Sequence, residues 1–509
     1  MIEIMIDLQG GAKAPLYEKI YEHIKSEIME GKIRKGEKLP STRLLANNLA
    51  VSRSTVEMAY DQLLAEGYIE AEPCRGFFVC DITELYRLEA KPLESHIDVK
   101  REKDKGYKVD FSPYAIDTKS FPYNIWRKIN KNVLLDDSEE LLLSGDGQGE
   151  WELRVAIAGY LHQARGVNCQ ASDIILGAGN EYLEILLSQL LGRDKTILME
   201  NPGYPQAYRT FCNMGYRVET VPAEDTGLRV EVVQQKNPDL VYMMPSHQFP
   251  LGTVMPLKQR LELLKWASEA ENRYLIEDDH DSEYRYRGKP IPSLQSVDRY
   301  GKVIYLGTFS KSIAPSLRIS YMVLPSQLME RYRKACGFYS TTVPRMQQDV
   351  LREFIKAGHF ERHLNKMRGI YRGRHDFLLG ELKKRSWVKQ ISGDHAGLHL
   401  LVKVDSLMSE TDICELALAQ GVKVSGIGQY YLAEEKQAKE EGTDCQTFPI
   451  LLLGYGKLSE EEIRTGLLVL DDIMSASKKN TFMCSASGEE GSCAVFAQDI
   501  MRKTKGGEA

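Results

Sequence analysis

Apolar positions near the start of the chain recur at helical spacing. Ile20, Ile24 and Ile28 stand at i, i+4 and i+8, which places them on one face of a helix. The same stretch ends at Gly31, a residue that commonly terminates helices. The pattern therefore predicts an amphipathic first helix over roughly residues 16–29.

Two shorter periodic segments and two apolar runs follow this helix. Ser41 stands where the N-cap of a second helix is expected, and Ser52 or Ser54 where that of a third helix is expected, each before an apolar-periodic segment. Residues 68–70 and 76–79 flank a turn and predict a short β-hairpin. Three helices followed by a hairpin, with a tight turn between the last two helices, predict a winged helix-turn-helix.

Beyond residue 109 the pattern changes to apolar runs alternating with helical segments. This alternation predicts an α/β fold, in which a mostly parallel, doubly wound sheet carries helices on both faces. The predicted boundaries are 10–80 for the winged-helix domain, 81–109 for a charged linker, 110–350 for a large α/β domain, 351–475 for a small C-terminal α/β domain and 476–509 for a polar tail.

Composition narrows the class of protein. A chain of 509 residues is too long for one core, and its 43% hydrophobic and 27% charged residues are ordinary for a soluble protein. No apolar run approaches the length of a membrane span, and the N-terminus lacks the cationic start of a signal peptide. Nine cysteines without CxxC spacing argue against a disulfide framework, so a cytoplasmic location is expected.

The net charge of −6 gives no whole-chain indication of nucleic-acid binding, but one segment is strongly basic. Between residues 31 and 55 Glu37 is the single acid, and the cations are Lys32, Arg34, Lys35, Lys38, Arg43 and Arg53. Such a face neutralises phosphates and positions a protein on DNA. The alternative is a protein-docking module with a solvated basic face.

The predicted third helix begins with groups suited to base edges. Ser52, Arg53 and Thr55 put one bidentate donor and hydroxyl groups at its N-terminus, and Arg75 stands at the hairpin tip, where it can reach a minor groove. The segments 38–43, 49–56, 66–69 and 76–79 resemble the GntR-type DNA-binding domain. The resemblance implies that Arg43, Arg53, Thr55 and Arg75 contact double-stranded DNA.

A lysine among small polar residues forms the centre of the larger part of the chain. Lys311 lies in the segment 307–318, between apolar runs at 303–306 and 319–324 that predict buried strands. Partial desolvation lowers the pKa of an amine, which is what a lysine needs to form a Schiff base. Arg318 is a candidate cation for a phosphate. A plain surface-loop lysine is the alternative.

A second strand, 274–280, ends in carboxylates. Asp278 precedes Lys311 by 33 residues, which is about one strand–helix–strand unit. A carboxylate that keeps a pyridine ring protonated and a lysine that binds an aldehyde are the two groups pyridoxal phosphate requires. The chain resembles the fold-type I pyridoxal-phosphate enzymes in an ordered set of residues: Asn201, Pro202, Gly203, Tyr204 and Pro205, then Asp278, then Ser310 and Lys311, then Arg318.

A turn before a predicted helix is a candidate phosphate cradle. Gly179, Asn180 and Glu181 follow a strand and open a helix, where backbone N–H groups bind anions. A plain tight turn is the more frequent explanation of such a sequence. The resemblance further implies that Tyr204 stacks on the cofactor ring, whereas an ordinary turn tyrosine is the alternative.

Together the two halves resemble the MocR/GabR family of pyridoxal-phosphate-dependent transcription regulators. The likeness spans roughly residues 10–475 and includes segments 245–252 and 276–284. It implies a homodimer of head-to-tail arrangement and an operator on double-stranded DNA. The ligand it is expected to sense is pyridoxal phosphate itself, or an amine or amino acid that reacts with the aldimine at Lys311.

Two departures from the family pattern bear on function. His280 stands where many members have a tyrosine that hydrogen-bonds the cofactor's phenolic oxygen, and Leu452 stands where aminotransferases have an arginine for the substrate carboxylate. The second departure favours sensing over catalysis. The competing hypothesis is a catalytic aminotransferase with an appended DNA-binding domain, and a third is a vestigial cofactor site.

Overall fold

A computed structural model of the chain describes residues 6, 14–81, 106–135, 139–223, 227–286, 288, 291–432 and 448–487. The chain divides into two compact units, Met1–Asp104 and Lys105–Ala509. Most of the predicted linker, residues 82–105, lies outside the described residues. No helix in the described part of the chain is long and apolar enough to cross a membrane.

The described residues of the first unit form three helices and a hairpin, as predicted. In order these are α1 Leu16–Met29, α2 Thr42–Leu49, α3 Arg53–Ala65, β1 Ile69–Glu72 and β2 Gly76–Val79. Ile20 and Ile24 are fully buried in one apolar cluster with Val56 and Tyr60. The periodic isoleucines thus fix the face of α1 that packs, and the packing supplies most of the helix's stability.

Side-chain caps place the starts of the second and third helices. The Ser41 hydroxyl accepts from the Leu44 amide at 3.2 Å, and the Ser52 hydroxyl accepts from the Thr55 amide at the same distance. Ala50, between the two helices, adopts a left-handed conformation with φ of 53°. The predicted Ser41 cap is confirmed, and of the two candidates for the third helix the structure selects Ser52; these caps place the starts of α2 and α3.

The second unit contains the remaining elements. In chain order they are β3 Val109–Asp110, α4 Tyr123–Leu135, α5 Trp151–Arg165, β4 Ile174–Gly177, α6 Asn180–Leu191, β5 Thr196–Asn201, α7 Pro205–Asn213, β6 Arg217–Pro222, α8 Val230–Lys236, β7 Leu240–Met243, α9 Leu257–Ser268, β8 Tyr274–Asp279, β9 Val303–Thr308, β10 Ser320–Val323, α10 Ser326–Ala335, α11 Arg345–Lys356, α12 His359–Leu382, β11 Val388–Ser392, β12 His399–Val404, α13 Glu410–Ala419, β13 Val422–Lys423, β14 Ser425–Gly426, β15 Ile450–Gly454 and α14 Glu460–Ser487.

Seven strands in the described residues make one large sheet in the order β4-β10-β9-β8-β7-β5-β6. All are parallel except β10, which runs antiparallel to both β4 and β9. The strands β7, β8 and β10 are buried along their whole length, because helices cover both faces. The predicted mostly parallel sheet is confirmed, and the ends of β7, β8 and β9 lie side by side.

The connection from β8 to β9 corrects one expectation. In place of a crossover α-helix, its described residues contain a short 3₁₀ turn at Gln295–Val297. The buried Glu277 carboxylate accepts from the amides of Leu294 at 2.7 Å and Gln295 at 2.9 Å, which fixes this turn against the sheet. A carboxylate from the neighbouring strand thereby supplies the order that a helix would otherwise give.

Four further strands in the described residues form a smaller sheet in the order β11-β12-β15-β14, and β3 pairs in parallel with β13 beside it.

The fold differs from the predicted boundaries in three places. Val109 and Phe111 pack in the apolar core of the small sheet, although the large domain was predicted to start at residue 110. Helix α11 crosses the boundary predicted at 350, and α14 extends past 475 to Ser487. Sequence periodicity marks elements but does not show which core an element joins.

Candidate functional site

The predicted DNA-contacting residues lie mainly on the surface of the first unit. Arg43, Ser52, Arg53 and Arg75 are exposed, and Thr55 is half-buried. Arg53 begins α3 and Arg75 follows the left-handed Cys74 at the hairpin tip, with the Arg75 amide donating to Glu72 at 3.0 Å. The turn chemistry of the hairpin thus presents Arg75 outward.

Several of these cations are paired with acids next to the basic segment. Arg53 Nε lies 2.8 Å from Glu57 on the same helix, and Arg75 pairs with Glu72. Lys32 lies 2.6 Å from Glu30, one residue outside the basic window. Exposed pairs of this kind are worth about 0–1 kcal/mol, so a phosphate can replace the acid at little cost.

Two hydroxyls of the third helix have a structural role besides any contact with bases. The Ser52 and Thr55 hydroxyls lie 2.7 Å apart, and Ser52 also caps the Thr55 amide. These bonds hold the N-terminus of α3, where Arg53 stands. The hydroxyls therefore hold the helix end that carries the arginine, in agreement with the N-cap predicted in this segment.

Asp278 lies at the carboxyl end of β8 and is 3% exposed. Its carboxylate accepts from the Tyr242 hydroxyl of β7 at 2.5 Å and lies 3.4 Å from Asn180 Nδ2. Burial raises the pKa of Asp278, and His280 and the Tyr242 hydrogen bond oppose that rise. The carboxylate is therefore fixed at the end of the sheet and can accept a hydrogen bond from a bound cation.

Lys311 follows β9, the strand next to β8, in a half-buried position. Its Nζ lies 5.8 Å from the ring centroid of Phe249 and 6.0 Å from that of Tyr114, and the Tyr284 hydroxyl donates to its carbonyl at 3.0 Å. Burial lowers the pKa of Lys311, although Asp281 and Asp278 oppose the shift. The lysine thus spends more time as the neutral nucleophile than an exposed lysine does.

Arg318 lies against the turn before α6. Arg318 has φ of 50°, and its guanidinium donates to Glu181 at 2.7 Å and to the Ala178 carbonyl at 3.2 Å. Gly179 has φ of 106°, and a Cβ there would lie 2.0 Å from Arg318 Nη2. Only glycine permits this approach of guanidinium, backbone and helix N-terminus, which together favour an anion.

Ser310 belongs to a chain of hydroxyls beside Lys311. The Thr308 hydroxyl lies 3.0 Å from the Ser310 hydroxyl and accepts from the Ser310 amide at 3.2 Å. The Ser320 hydroxyl of β10 donates to Thr308 at 2.9 Å. This network orients the loop that carries Lys311.

Tyr204 lies in an aromatic group at the same end of the sheet. Its ring centroid is 6.0 Å from Phe249 and 6.4 Å from Tyr114, and it directly precedes α7. These rings form an apolar wall suited to a planar ligand. Tyr114 and Phe249 were not predicted, because they lie outside the residues with a recognised role.

His280 lies beside two groups that sequence reasoning did not select. Its Nε2 is 3.3 Å from Asp281 Oδ1, and His247 Nδ1 is 2.8 Å from the same oxygen. Burial opposes ionisation of Asp281, but His247 and His280 outweigh it and hold the pKa of that carboxyl well below its usual range. His247 is 34 residues from Asp281, so no local signal pairs them.

Each of the two units matches a known protein family. Residues 16–79 match the family described as bacterial regulatory proteins, gntR family. Residues 109–438 match aminotransferase class I and II. A multiple substrate aminotransferase from Thermococcus profundus has the fold of the second unit, with a TM-score of 0.64 and 23% identity over 78% of this chain and 99% of its own.

Relatives along nearly the whole chain join the same two parts. The HTH-type regulator YdeL of Bacillus subtilis is 39% identical over 89% of this chain and 95% of its own length. The rhizopine catabolism regulatory protein MocR of Rhizobium meliloti is 31% identical over 91% and 94%. The pyridoxine biosynthesis regulator PdxR of Corynebacterium glutamicum is 30% identical over 93% and 99%. The chain therefore belongs to the aminotransferase class I and II family and, with its GntR unit, is an HTH-type transcriptional regulator of the MocR type.

Proposed function

We propose that this regulator binds pyridoxal 5′-phosphate in its second unit and that its affinity for operator DNA depends on the state of that site. The observation that carries the proposal is the convergence of Lys311 and Asp278 at adjacent strand ends, in a chain that also has a GntR unit. A buried carboxylate and an amine of lowered pKa are what this cofactor requires.

The residues present fit the cofactor. Pyridoxal phosphate supplies an aldehyde for amines and a protonated pyridine ring that withdraws electrons. Asp278 would hold the ring nitrogen, and Lys311 would bind the aldehyde. A buried polar atom without a hydrogen-bond partner among the described residues, Asn180 Oδ1, lies in the same region and suits a polar ligand.

The phosphate would be held at the turn before α6. Gly179, Asn180 and Glu181 supply backbone N–H groups at the helix N-terminus, while Arg318 and Ser310 supply a cation and a hydroxyl. In the protein alone Arg318 is paired with the Glu181 carboxylate. A phosphate would have to share or displace that carboxylate, so Glu181 tunes the affinity of the cradle.

The effector of this proposal is an amine or amino acid that takes the aldehyde from Lys311. Release of the lysine would leave a charged amine beside Asp281 and Asp278 and so change the packing of the site. Leu452 is fully buried in the apolar cluster that includes Phe249 and Tyr430. An apolar side chain there cannot pair with a carboxylate, which favours sensing over transamination of ordinary amino acids.

On DNA the protein acts as a head-to-tail homodimer in the cytoplasm. Two-fold symmetry lets one dimer read two half-sites of an operator. Arg53 and Arg43 would provide specific and phosphate contacts from α3 and α2, and Arg75 would enter the flanking minor groove.

The proposal is tested with the full-length protein and the DNA fragment upstream of its own gene. Fluorescence anisotropy is measured with and without pyridoxal phosphate, and with a panel of amines, at several salt concentrations. We expect the affinity to change with the cofactor and with one class of amine, and the Lys311→Ala variant to bind DNA without responding. Equal affinity under all conditions, or no binding at low salt, would contradict the proposal.

The second candidate is a catalytic aminotransferase, favoured by the retention of Lys311 and Asp278 in one site. Loaded protein is mixed with amino donors and 2-oxo acids, and product is followed over time. Rapid multiple turnover supports the enzyme. Reaction that stops after one equivalent supports the sensor.

A further inference from the structure

Beside the proposed cofactor site lies a largely buried cluster of three side chains, His247, His280 and Asp281. Asp281 is 1% exposed and His247 is 4% exposed. Oδ1 of Asp281 accepts from His247 Nδ1 at 2.8 Å and is 3.3 Å from His280 Nε2. One carboxylate oxygen therefore faces both rings.

Two glycines from different loops lie against the His247 ring. A Cβ at Gly397 would lie 2.3 Å from His247 Cε1 and 3.2 Å from Asp281 Oδ2, and one at Gly252 would lie 3.3 Å from His247 Nε2. Both glycines have positive φ, 83° and 72°. Backbone from two different loops thus closes on the ring, and neither loop can carry a side chain there without moving it.

One of these loops belongs to the small sheet. Gly397 lies just before β12, its amide donates to the Tyr284 carbonyl at 2.9 Å, and its carbonyl accepts from the Tyr455 hydroxyl at 2.8 Å. Two residues on, His399 Nε2 donates to the Pro250 carbonyl at 2.8 Å. The segment 396–399 therefore joins the small sheet to the strand ends that carry Lys311 and Asp278.

We infer that Asp281 is a positioning residue, which holds His280 toward the cofactor site and, through His247, links that site to the 396–399 segment of the small sheet. The link to the cofactor rests on the proposed function, whereas the link between Asp281, His247 and Gly397 is present in the protein alone. Through these contacts a change at Lys311 can alter how the small sheet packs against the large one.

The role of Asp281 follows from its negative charge. An ionised carboxylate accepts hydrogen bonds only, so His247 Nδ1 is the donor of the bond to Asp281. In Asp281→Asn the amide oxygen can still face the rings but carries no negative charge, so the hydrogen bond from His247 weakens. Gly252 and Gly397 still enclose the His247 ring, and a ring that is held less firmly lets the 396–399 segment loosen.

The test compares the full-length wild-type protein with Asp281→Asn and Glu283→Gln. Glu283 is the matched control, because it is a neighbouring acid that accepts from Tyr160 at 3.2 Å and not from the histidines. Hydrogen exchange of the peptide spanning 393–399 is measured by mass spectrometry without cofactor. Melting temperatures establish that each variant is folded, and the absorption spectrum and dissociation constant of bound pyridoxal phosphate are then recorded.

We expect faster exchange at 393–399 in Asp281→Asn but not in Glu283→Gln. We also expect an altered absorption maximum and a loss of cofactor affinity of about tenfold or more, the size typical for a hydrogen bond to a charged group. If Asp281→Asn does not fold, His247→Asn is measured in its place, with the same exchange result expected.

Wild-type exchange and a wild-type spectrum in folded Asp281→Asn would overturn the inference. Should the wild-type protein bind no pyridoxal phosphate, the proposed function fails, yet the exchange comparison without cofactor still decides whether Asp281 holds the 396–399 segment. The two failures are therefore distinguishable.

Discussion

The two candidate sites of this protein are built in opposite ways. On the GntR unit the groups are exposed, close in sequence and paired with nearby acids, as Arg53 is with Glu57. In the aminotransferase-like unit the central groups are buried or half-buried and come from distant parts of the chain, as Asn180 and Asp278 do across 98 residues. A surface that exchanges acids for phosphates needs only local order, whereas a site that shifts pKa values needs a tertiary fold around it.

This difference has an energetic counterpart. Exposed ion pairs contribute little, so the DNA face gains its affinity from many replaceable contacts. Buried groups are costly to leave unpaired, so each one in the second site matters by itself. Single substitutions should therefore be severe in one unit and graded in the other.

The largest effect is expected for Lys311→Ala. Without its amine the protein cannot be joined covalently to pyridoxal phosphate, so borohydride reduction should give no labelled Lys311 peptide. Lys302 is an internal control in the wild-type digest, because burial also lowers its pKa but its amine donates to the Ala270 and Glu271 carbonyls. Label at Lys302, or none at Lys311 in the wild type, would contradict the assignment.

A smaller but substantial loss is expected for Asp278→Asn. The amide cannot carry the negative charge that keeps a pyridine ring protonated, and a hydrogen bond to a charged group is worth about 1.5–3 kcal/mol. The dissociation constant for pyridoxal phosphate should rise roughly tenfold to a hundredfold, as measured by absorbance titration. The Tyr242→Phe variant, which removes the partner of Asp278, should lose less, and the reverse order would argue against Asp278 as the ring's partner.

Arg53→Ala tests the other side of the comparison. Loss of a bidentate base contact costs about 1–3 kcal/mol and relaxes specificity at one position of the operator. Binding is measured by anisotropy against the upstream fragment and a scrambled one. Arg299→Ala, which removes an exposed arginine from the other unit, provides the same charge change and should leave binding near the wild-type level.

Glu200 offers a pH test of burial in the second unit. Burial raises the pKa of Glu200 from 4.5 to about 8, so the folded protein keeps a proton there that the unfolded chain has lost between these values. Stability should therefore fall as pH rises through this window, and Glu200→Gln should reduce the fall. The midpoint of urea unfolding at about pH 5 and at about pH 8 measures this fall in stability. An equal fall in the wild-type protein and in Glu200→Gln would show that Glu200 does not hold the proton.

The smallest effect is expected for Glu181→Gln. Glu181 is paired with Arg318 at a half-exposed site, and such pairs are worth about 0–1 kcal/mol. Without the competing carboxylate, Arg318 is free for a phosphate, so the affinity for pyridoxal phosphate should rise by a few fold at most. A lower affinity for pyridoxal phosphate in this variant would mean that Glu181 stabilises the phosphate site and does not compete with phosphate for Arg318.

The sequence by itself determined the elements whose signals are local. The isoleucine stripe of α1, the Ser41 and Ser52 caps and the hairpin could all be predicted because periodicity, capping and turn chemistry act over a few residues. The strands around Lys311 and Asp278 could be predicted in the same way. Their pairing as one cofactor site came from resemblance to a family, and not from spacing.

Tertiary structure alone decided the groups that meet across the sheet. Tyr242 reaches Asp278 because β7 and β8 are adjacent in the sheet, and His247 reaches Asp281 because glycines at 252 and 397 let two loops approach. The 3₁₀ connection after β8 and the assignment of Val109 to the small-sheet core were likewise invisible in the sequence. Such contacts depend on strand order and on close approach of distant backbone, and neither leaves a periodic trace along the chain.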